Sequence, residues 1–214
     1  MSDILLHEVK GKSEIITFNN PDKLNVLSDE MLGLFLKALE KASLNSKTKV
    51  VIIKSTGKAF CAGHDLKQMQ NARTAKDKGI SYFKDLFKRC SKIMLNINNL
   101  SKPVIAEVQG IATAAGCQLV ATCDIAIASK NANFGVNGVN IGLFCSTPMV
   151  ALSRNISRKK TFEMLVTGDF LNAEEAKDAG LINHVTEEKE LSNKTNEIEL
   201  KIAEKYKRVV KIGK

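Results

Sequence analysis

The segment Gly110-Ile-Ala-Thr-Ala-Ala-Gly-Cys-Gln-Leu-Val-Ala-Thr-Cys-Asp-Ile-Ala-Ile-Ala128 constrains the chain more than any other. Small residues open an apolar run, and Asp124 closes it before a second run of strand character. A helix that is apolar all round must be enclosed, so the pattern predicts a buried helix over 115–122. Upstream, Gly57-Lys-Ala-Phe-Cys-Ala-Gly-His-Asp-Leu66 follows the β-branched run Val50-Val-Ile-Ile53, which predicts a strand and then a turn with free backbone N–H groups. Together the two segments can aim a pair of main-chain donors at one developing negative charge, the chemistry of an oxyanion site. Neither brings an obvious acid or base.

Around these segments, strands and helices alternate, which indicates an α/β core. Ile4–Glu8 and Glu14–Phe18 read as a hairpin turning at Gly11-Lys12. Asn19–Asp22 is a turn cluster, Ser28 a helix cap, and Met31, Leu32, Phe35, Leu36 and Leu39 recur at helical spacing. Asn71–Gly79 is polar and predicts a mobile surface segment; Tyr82 to Ile97 predicts a long amphipathic helix. Pro103–Val108 and Asp124–Ala128 read as strands. Beyond them, Thr147-Pro148 predicts a helix start capped by Thr147. Phe162–Val166 and Ala173–Ala179 read as helices, Leu181–Val185 as a short strand, and Glu187 onward as charged helix. The end, Lys205–Lys214, carries no cap or core-closing segment.

The chain has 214 residues, 44% of them apolar, which fits a single domain over 1–214 with a core over 1–185 and a helical region beginning at 186–214. No run of about 18 apolar residues predicts a membrane span, and Met1-Ser-Asp-Ile-Leu-Leu lacks the cationic start of a secretion signal, so a cytoplasmic location is expected. Cys61, Cys90, Cys117, Cys123 and Cys145 show no CxxC spacing and read as reduced thiols. His7, His64 and His184 do not stand at metal-ligand intervals, and no metal site is expected. The excess of 32 Lys and Arg over 23 Asp and Glu, a formal +9, favours an anionic partner. RNA is one such partner, but the basic residues are spread along the chain and aromatics reach only 5%, too few for stacking platforms.

Five pieces in register carry a family resemblance: Asn20-Pro-Asp-Lys-Leu-Asn-Val-Leu27, Lys58-Ala-Phe-Cys-Ala-Gly-His-Asp-Leu-Lys67, Lys102-Pro-Val-Ile-Ala-Glu-Val-Gln-Gly110, Ala115-Gly-Cys-Gln-Leu-Val-Ala-Thr-Cys-Asp124, and Glu163-Met-Leu-Val-Thr-Gly-Asp169 leading to Ala176-Lys-Asp-Ala-Gly-Leu181. The chain resembles the crotonase superfamily, the enoyl-CoA hydratase and isomerase family. That resemblance implies a crotonase-like spiral of ββα units, assembled as a homotrimer or a hexamer of two trimers. It also implies an acyl-CoA thioester as substrate or ligand, with no further cofactor. Further helices follow in relatives, so the C-terminal helical part is expected to be truncated here. By motif position the oxyanion donors are the amides of His64 and Ala115. The ligand is expected against Lys23, Leu24, Ala62, Gly63, Asp65, Leu66, Lys67, Gly116, Phe144 and Cys145. Lys23, Lys58 and Lys67 are the candidates for CoA phosphates, and Phe60, Phe83, Phe87 and Phe144 for an acyl pocket.

Two positions depart from the family pattern. The carboxylates that hydration needs fall, by motif, on Gln118 and on Gly138 within Phe134-Gly-Val-Asn-Gly-Val-Asn140. An amide cannot move a proton at neutral pH, and glycine has no side chain. Three alternatives to the two-glutamate route therefore stand beside it: a catalytically inactive acyl-CoA-binding protein, a thioester hydrolase using Cys145 or Ser146, and a proton carrier of another kind, for which His64 is the candidate. The plainer readings are a solvent-facing His64, an Asp65 that bonds its own turn, and an Asp124 that ends the buried helix.

Overall fold

The expected hairpin forms between β1 (Leu5–Lys10) and β2 (Ser13–Phe18), antiparallel across Gly11. The computed structural model describes residues 4–214, so Met1–Asp3, read above for a secretion signal, lie outside the described residues. Ser28 caps α1 (Asp29–Leu44), its hydroxyl accepting from the Met31 N–H, and the helix buries Met31, Leu32, Phe35 and Leu39.

From there the chain winds in repeating circuits. The first is β3 (Val50–Ser55), β4 (Ala59–Cys61), α2 (Leu66–Ala72) and α3 (Ile80–Asn99); the second is β5 (Val104–Val108), β6 (Ile111–Thr113) and α4 (Ala115–Thr122). The third is β7 (Ile125–Ser129), β8 (Asn133–Gly135), a 3-10 turn over Asn137–Ile141, α5 (Ser146–Leu152) and α6 (Arg158–Thr167). β9 (Phe170–Asn172), α7 (Ala173–Asp178), β10 (His184–Thr186), α8 (Leu191–Ala203) and α9 (Lys207–Gly213) complete the path. Each circuit gives its first strand to one sheet and its second to another. Among the described residues these sheets run β1-β2-β3-β5-β7-β10 and β4-β6-β8-β9. This is the ββα spiral of the crotonase fold.

The parallel strands of the larger sheet are covered on both faces, which is why Val50-Val-Ile-Ile53 reads as an unbroken apolar run. Val51 and Ile53 face the main core, while Val50, Ile52, Ile105 and Ile127 pack with Leu191, Ile198 and Ile202 of α8. Ile52 stands level with Ile15 and Ile105 across the ladder. Among the described residues no helix is long and apolar enough to cross a membrane.

Several sequence expectations need correction. The strands β4, β6, β8 and β9 are three residues each, too short to show a period. Asn71 and Ala72 belong to α2, and the segment after them is tied by Asp77, whose carboxylate accepts from the N–H groups of Gly79 and Ser81. Thr147 does not cap α5: Cys145 stands at that position and no side chain caps the helix. Lys214 is anchored, donating to the carbonyls of Ile97 and Lys102 and pairing with Asp124 at 2.7 Å. Lys102 itself is buried and donates to the carbonyls of Ala42 and Asn45 and to the Thr48 hydroxyl, closing the end of α1.

Candidate active site

Two loops meet at the start of the buried helix. The first, Ala62-Gly63-His64-Asp65, leaves β4 and is braced from behind: the Ala62 N–H donates to the Leu24 carbonyl (3.1 Å), and the Leu27 N–H to the Gly63 carbonyl (2.8 Å). Backbone groups alternate in an extended segment, so the His64 amide faces away from Leu27. Asn25, fully buried, donates from Nδ2 to the carbonyls of Thr56 and Ala59 and accepts from the Asn20 N–H. Asp65 bonds its own turn as expected, accepting from Lys67 (2.9 Å) and Gln68 (3.2 Å) as the cap of α2.

The second loop is Ala114, between β6 and α4. Its φ of 50° and ψ of −119° are unusual for a residue with a Cβ, and its N–H is held by the Gly135 carbonyl at 2.9 Å. Ala115 is the first residue of α4, where an amide has no acceptor within its helix. Glycine makes the approach of the two loops possible. A Cβ on Gly63 would stand 3.0 Å from the Ala114 Cβ and 3.3 Å from the Ala115 nitrogen, and one on Gly116 would strike the Cys61 carbonyl at 2.0 Å.

Above this contact lies a cavity of about 260 Å³. Ala62, His64, Leu66, Met69 and Phe87 line one side, Thr113, Ala114 and Ala115 the base, and Asn137, Gly138, Ile141 and residues 143–148 the other. Of the residues singled out by sequence, His64, Ala115, Ala62, Leu66, Gly138, Phe144 and Cys145 therefore come together. Gly63 and Gly116 shape the contact beneath them. Lys23, Leu24, Asp65, Lys67 and Gln118 do not line the cavity, and Lys23, Lys58 and Lys67 lie exposed on the surface. Phe60 is core, packed on Phe18, and Phe83 packs on Tyr82, leaving Phe87 and Phe144 as the cavity's aromatic rings. A larger, more open groove of about 1250 Å³ between α5 and α6 contains none of these residues.

Asn137 escaped the sequence reading, which took Phe134–Asn140 only for its missing glutamate. The Thr113 hydroxyl donates to its Oδ1 at 2.6 Å, tying the cavity base to its far wall. Asp124 holds a strand start instead of merely ending a helix, accepting from the Val104 N–H at 2.7 Å.

The electrostatics are unusual. Among the described residues, no carboxylate lines the cavity. Gln118 is buried, and its Oε1 has no hydrogen-bond partner. Gly138 has no room for a side chain, since a Cβ there would lie 2.6 Å from the Leu143 carbonyl oxygen and 2.9 Å from the Cys145 Sγ. His64 does not face solvent: both ring nitrogens are buried without a hydrogen bond of ordinary geometry, and the ring stands edge-on to Phe87 with centroids 5.7 Å apart. Burial pushes its pKa down to about 4, which the nearby Leu27 backbone only partly opposes, so the imidazole is neutral. Burial likewise raises the Cys145 thiol, and Cys61 and Cys117 are pushed up to about 12. Among the described residues, no cluster of three His, Cys, Asp or Glu side chains could hold a metal ion.

The model of the enoyl-CoA hydratase/isomerase family matches residues 11–214. The chain belongs to this family. The present enoyl-CoA hydratase/isomerase family member is 45% identical over 199 residues to human mitochondrial enoyl-CoA hydratase domain-containing protein 3, a match that covers 93% of this chain and 64% of the relative. The protein of the same name from Danio rerio is 41% identical over 213 residues, covering all of this chain and 72% of that one. A crystal structure of an enoyl-CoA hydratase from Mycobacterium smegmatis superposes with a TM-score of 0.94 at 45% identity, covering 99% of this chain and 81% of the other. Both curated relatives are named mitochondrial, which overturns the cytoplasmic location expected from the N-terminal residues.

Proposed function

We propose that this protein binds an acyl-CoA thioester with its carbonyl oxygen between the amides of His64 and Ala115, and that it does not hydrate enoyl thioesters by the two-glutamate route. The observation that carries this reading is the contact of Gly63 with Ala114 and Ala115, which sets the two loops side by side under one cavity. The dipole of α4 adds to the pull on an oxyanion at its first residue. The lining is mostly apolar, with Leu66, Met69, Phe87, Ile141 and Phe144, and suits a hydrocarbon chain.

The missing carboxylates support the negative half of the reading. Gln118 cannot act as an acid or base, and the position of the second glutamate is sterically closed at Gly138. Hydrolysis through Cys145 is disfavoured because a thiol of raised pKa is a poor nucleophile at neutral pH. Isothermal titration with butyryl-CoA and crotonyl-CoA, against free CoA, tests the proposal. Both thioesters bind more tightly than CoA alone, and crotonyl-CoA is not hydrated at a rate typical of a hydratase. Failure of either thioester to bind, or efficient hydration, refutes it.

A further inference from the structure

We propose that the His64 imidazole is a catalytic residue of this site, the base that takes a proton from the carbon next to the thioester carbonyl while its own amide and that of Ala115 hold the oxygen. The inference rests on the acyl-CoA reading above. In the step, the C–H bond breaks and an N–H bond forms on the ring. The electron pair of the broken bond moves into the enolate, whose negative oxygen sits between the two amides, and return of the proton to carbon restores the neutral ring.

Three observations lead here. First, buried polar atoms are as a rule paired, yet both ring nitrogens of His64 are buried without an ordinary hydrogen bond while the ring lines the cavity. Second, among the described residues lining the cavity, only His64 and Cys145 titrate at all, and the Cys145 sulfur is held against Gly138 with its thiol proton retained. Third, one residue supplies both the oxygen donor and the ring, so any ligand seated on the amide is brought to the imidazole.

The state of the ring suits the task. A pKa of about 4 matches that of a glutamate, about 4.3, so His64 offers the basicity of a carboxylate and is unprotonated at neutral pH. Its charged neighbours are Arg89 of α3, which lowers the pKa, and Asp29 of α1, which raises it. These two are themselves paired at 2.5 Å and act on the ring in opposite directions. Phe87 stands edge-on to the ring, with centroids 5.7 Å apart.

The test is exchange of the α-protons of butyryl-CoA for solvent deuterium, read by NMR. The wild-type protein exchanges them. His64→Gln keeps the backbone donor and a polar side chain and loses exchange by at least ~100-fold at saturating butyryl-CoA, with its affinity for butyryl-CoA measured alongside. In the wild-type protein the rate is level from pH 8 to pH 6 and falls only at lower pH, with a midpoint well below the ordinary histidine value of about 6.5. Where His64→Gln fails to bind, His64→Asn and His64→Ala, which keep the same amide, are measured in its place. Binding without exchange by the wild-type protein, or exchange that survives in a His64 variant that binds butyryl-CoA, overturns the inference alone. Absence of binding by the wild-type protein overturns the acyl-CoA reading, and this one with it.

Discussion

Replacing Gly138 by alanine is the sharpest probe of why the second carboxylate is missing. The added Cβ would enter a space bounded by the Leu143 carbonyl oxygen at 2.6 Å and the Cys145 Sγ at 2.9 Å, both inside contact distance. The first is backbone, itself fixed because the Leu143 N–H donates to the Gly138 carbonyl at 2.9 Å. It cannot swing aside as a side chain could. Overpacking of this kind costs about 2–3 kcal/mol, while the lower chain entropy of alanine in the unfolded state returns roughly 0.5–1, since φ at 138 is not left-handed. The net loss is then about 1–2.5 kcal/mol, or roughly 2–10 °C in Tm for a chain of this size. Thermal unfolding followed by circular dichroism measures it. Cys145→Ala in the same chain should recover only part of the loss, because the carbonyl contact remains, and Gly138→Glu should be less stable still without gaining crotonyl-CoA hydration. A Gly138→Ala protein that melts with the wild type, or a Gly138→Glu protein that is stable and hydrates, would show that the 3-10 turn yields easily and that the argument from closure is wrong.

Two further outcomes are expected. Ala114→Gly relieves the left-handed φ at the mouth of α4 and should stabilise the protein by about 1 kcal/mol after the entropic cost of glycine, raising Tm by roughly 2–4 °C; no gain in a thermal melt would mean the conformation carries no strain. Glu14 is a buried carboxylate whose pKa burial alone would raise, but hydrogen bonds from Thr48, His7 and Asn45 outweigh that and leave it below the ordinary value. A lowered pKa contributes stability above the unfolded value and loses it as pH falls through the folded one. Glu14→Gln should therefore cost about 1–3 kcal/mol at pH 7 in urea unfolding, with the gap to wild type closing below about pH 4; a gap constant with pH would refute it.

The sequence was most legible where one physical rule governed a whole element. The helix over 115–122 is observed as Ala115–Thr122, because an all-apolar run in a chain of this charge has nowhere to go but inside. The Ser28 cap and the long helix of Tyr82 to Ile97 followed from equally local patterns. The second sheet was not legible, since its three-residue strands are defined by neighbours far along the chain. In the site, motif position brought His64, Ala115, Gly138 and Cys145 to one cavity, but the orientation of a single imidazole depends on what packs over it. Phe87, on a helix that sequence reads only as amphipathic, is the ring that stands edge-on to His64. Asn137 could have been found by asking what polar side chain remains once glutamate is lost from its segment.

The pinch between Gly63 and Ala115 has a consequence for how such a protein can change. In the proposed reading the cradle for a carbonyl oxygen is main chain at two adjacent strand ends, with the His64 imidazole on the cradle itself and the positions of the lost carboxylates at Gln118 of α4 and Gly138 beyond β8. Polarisation by main-chain amides then does not depend on which side chain carries the proton. Substitution can exchange the proton carrier while the main-chain cradle endures, so under this reading a lineage can change its chemistry without losing its grip on thioesters.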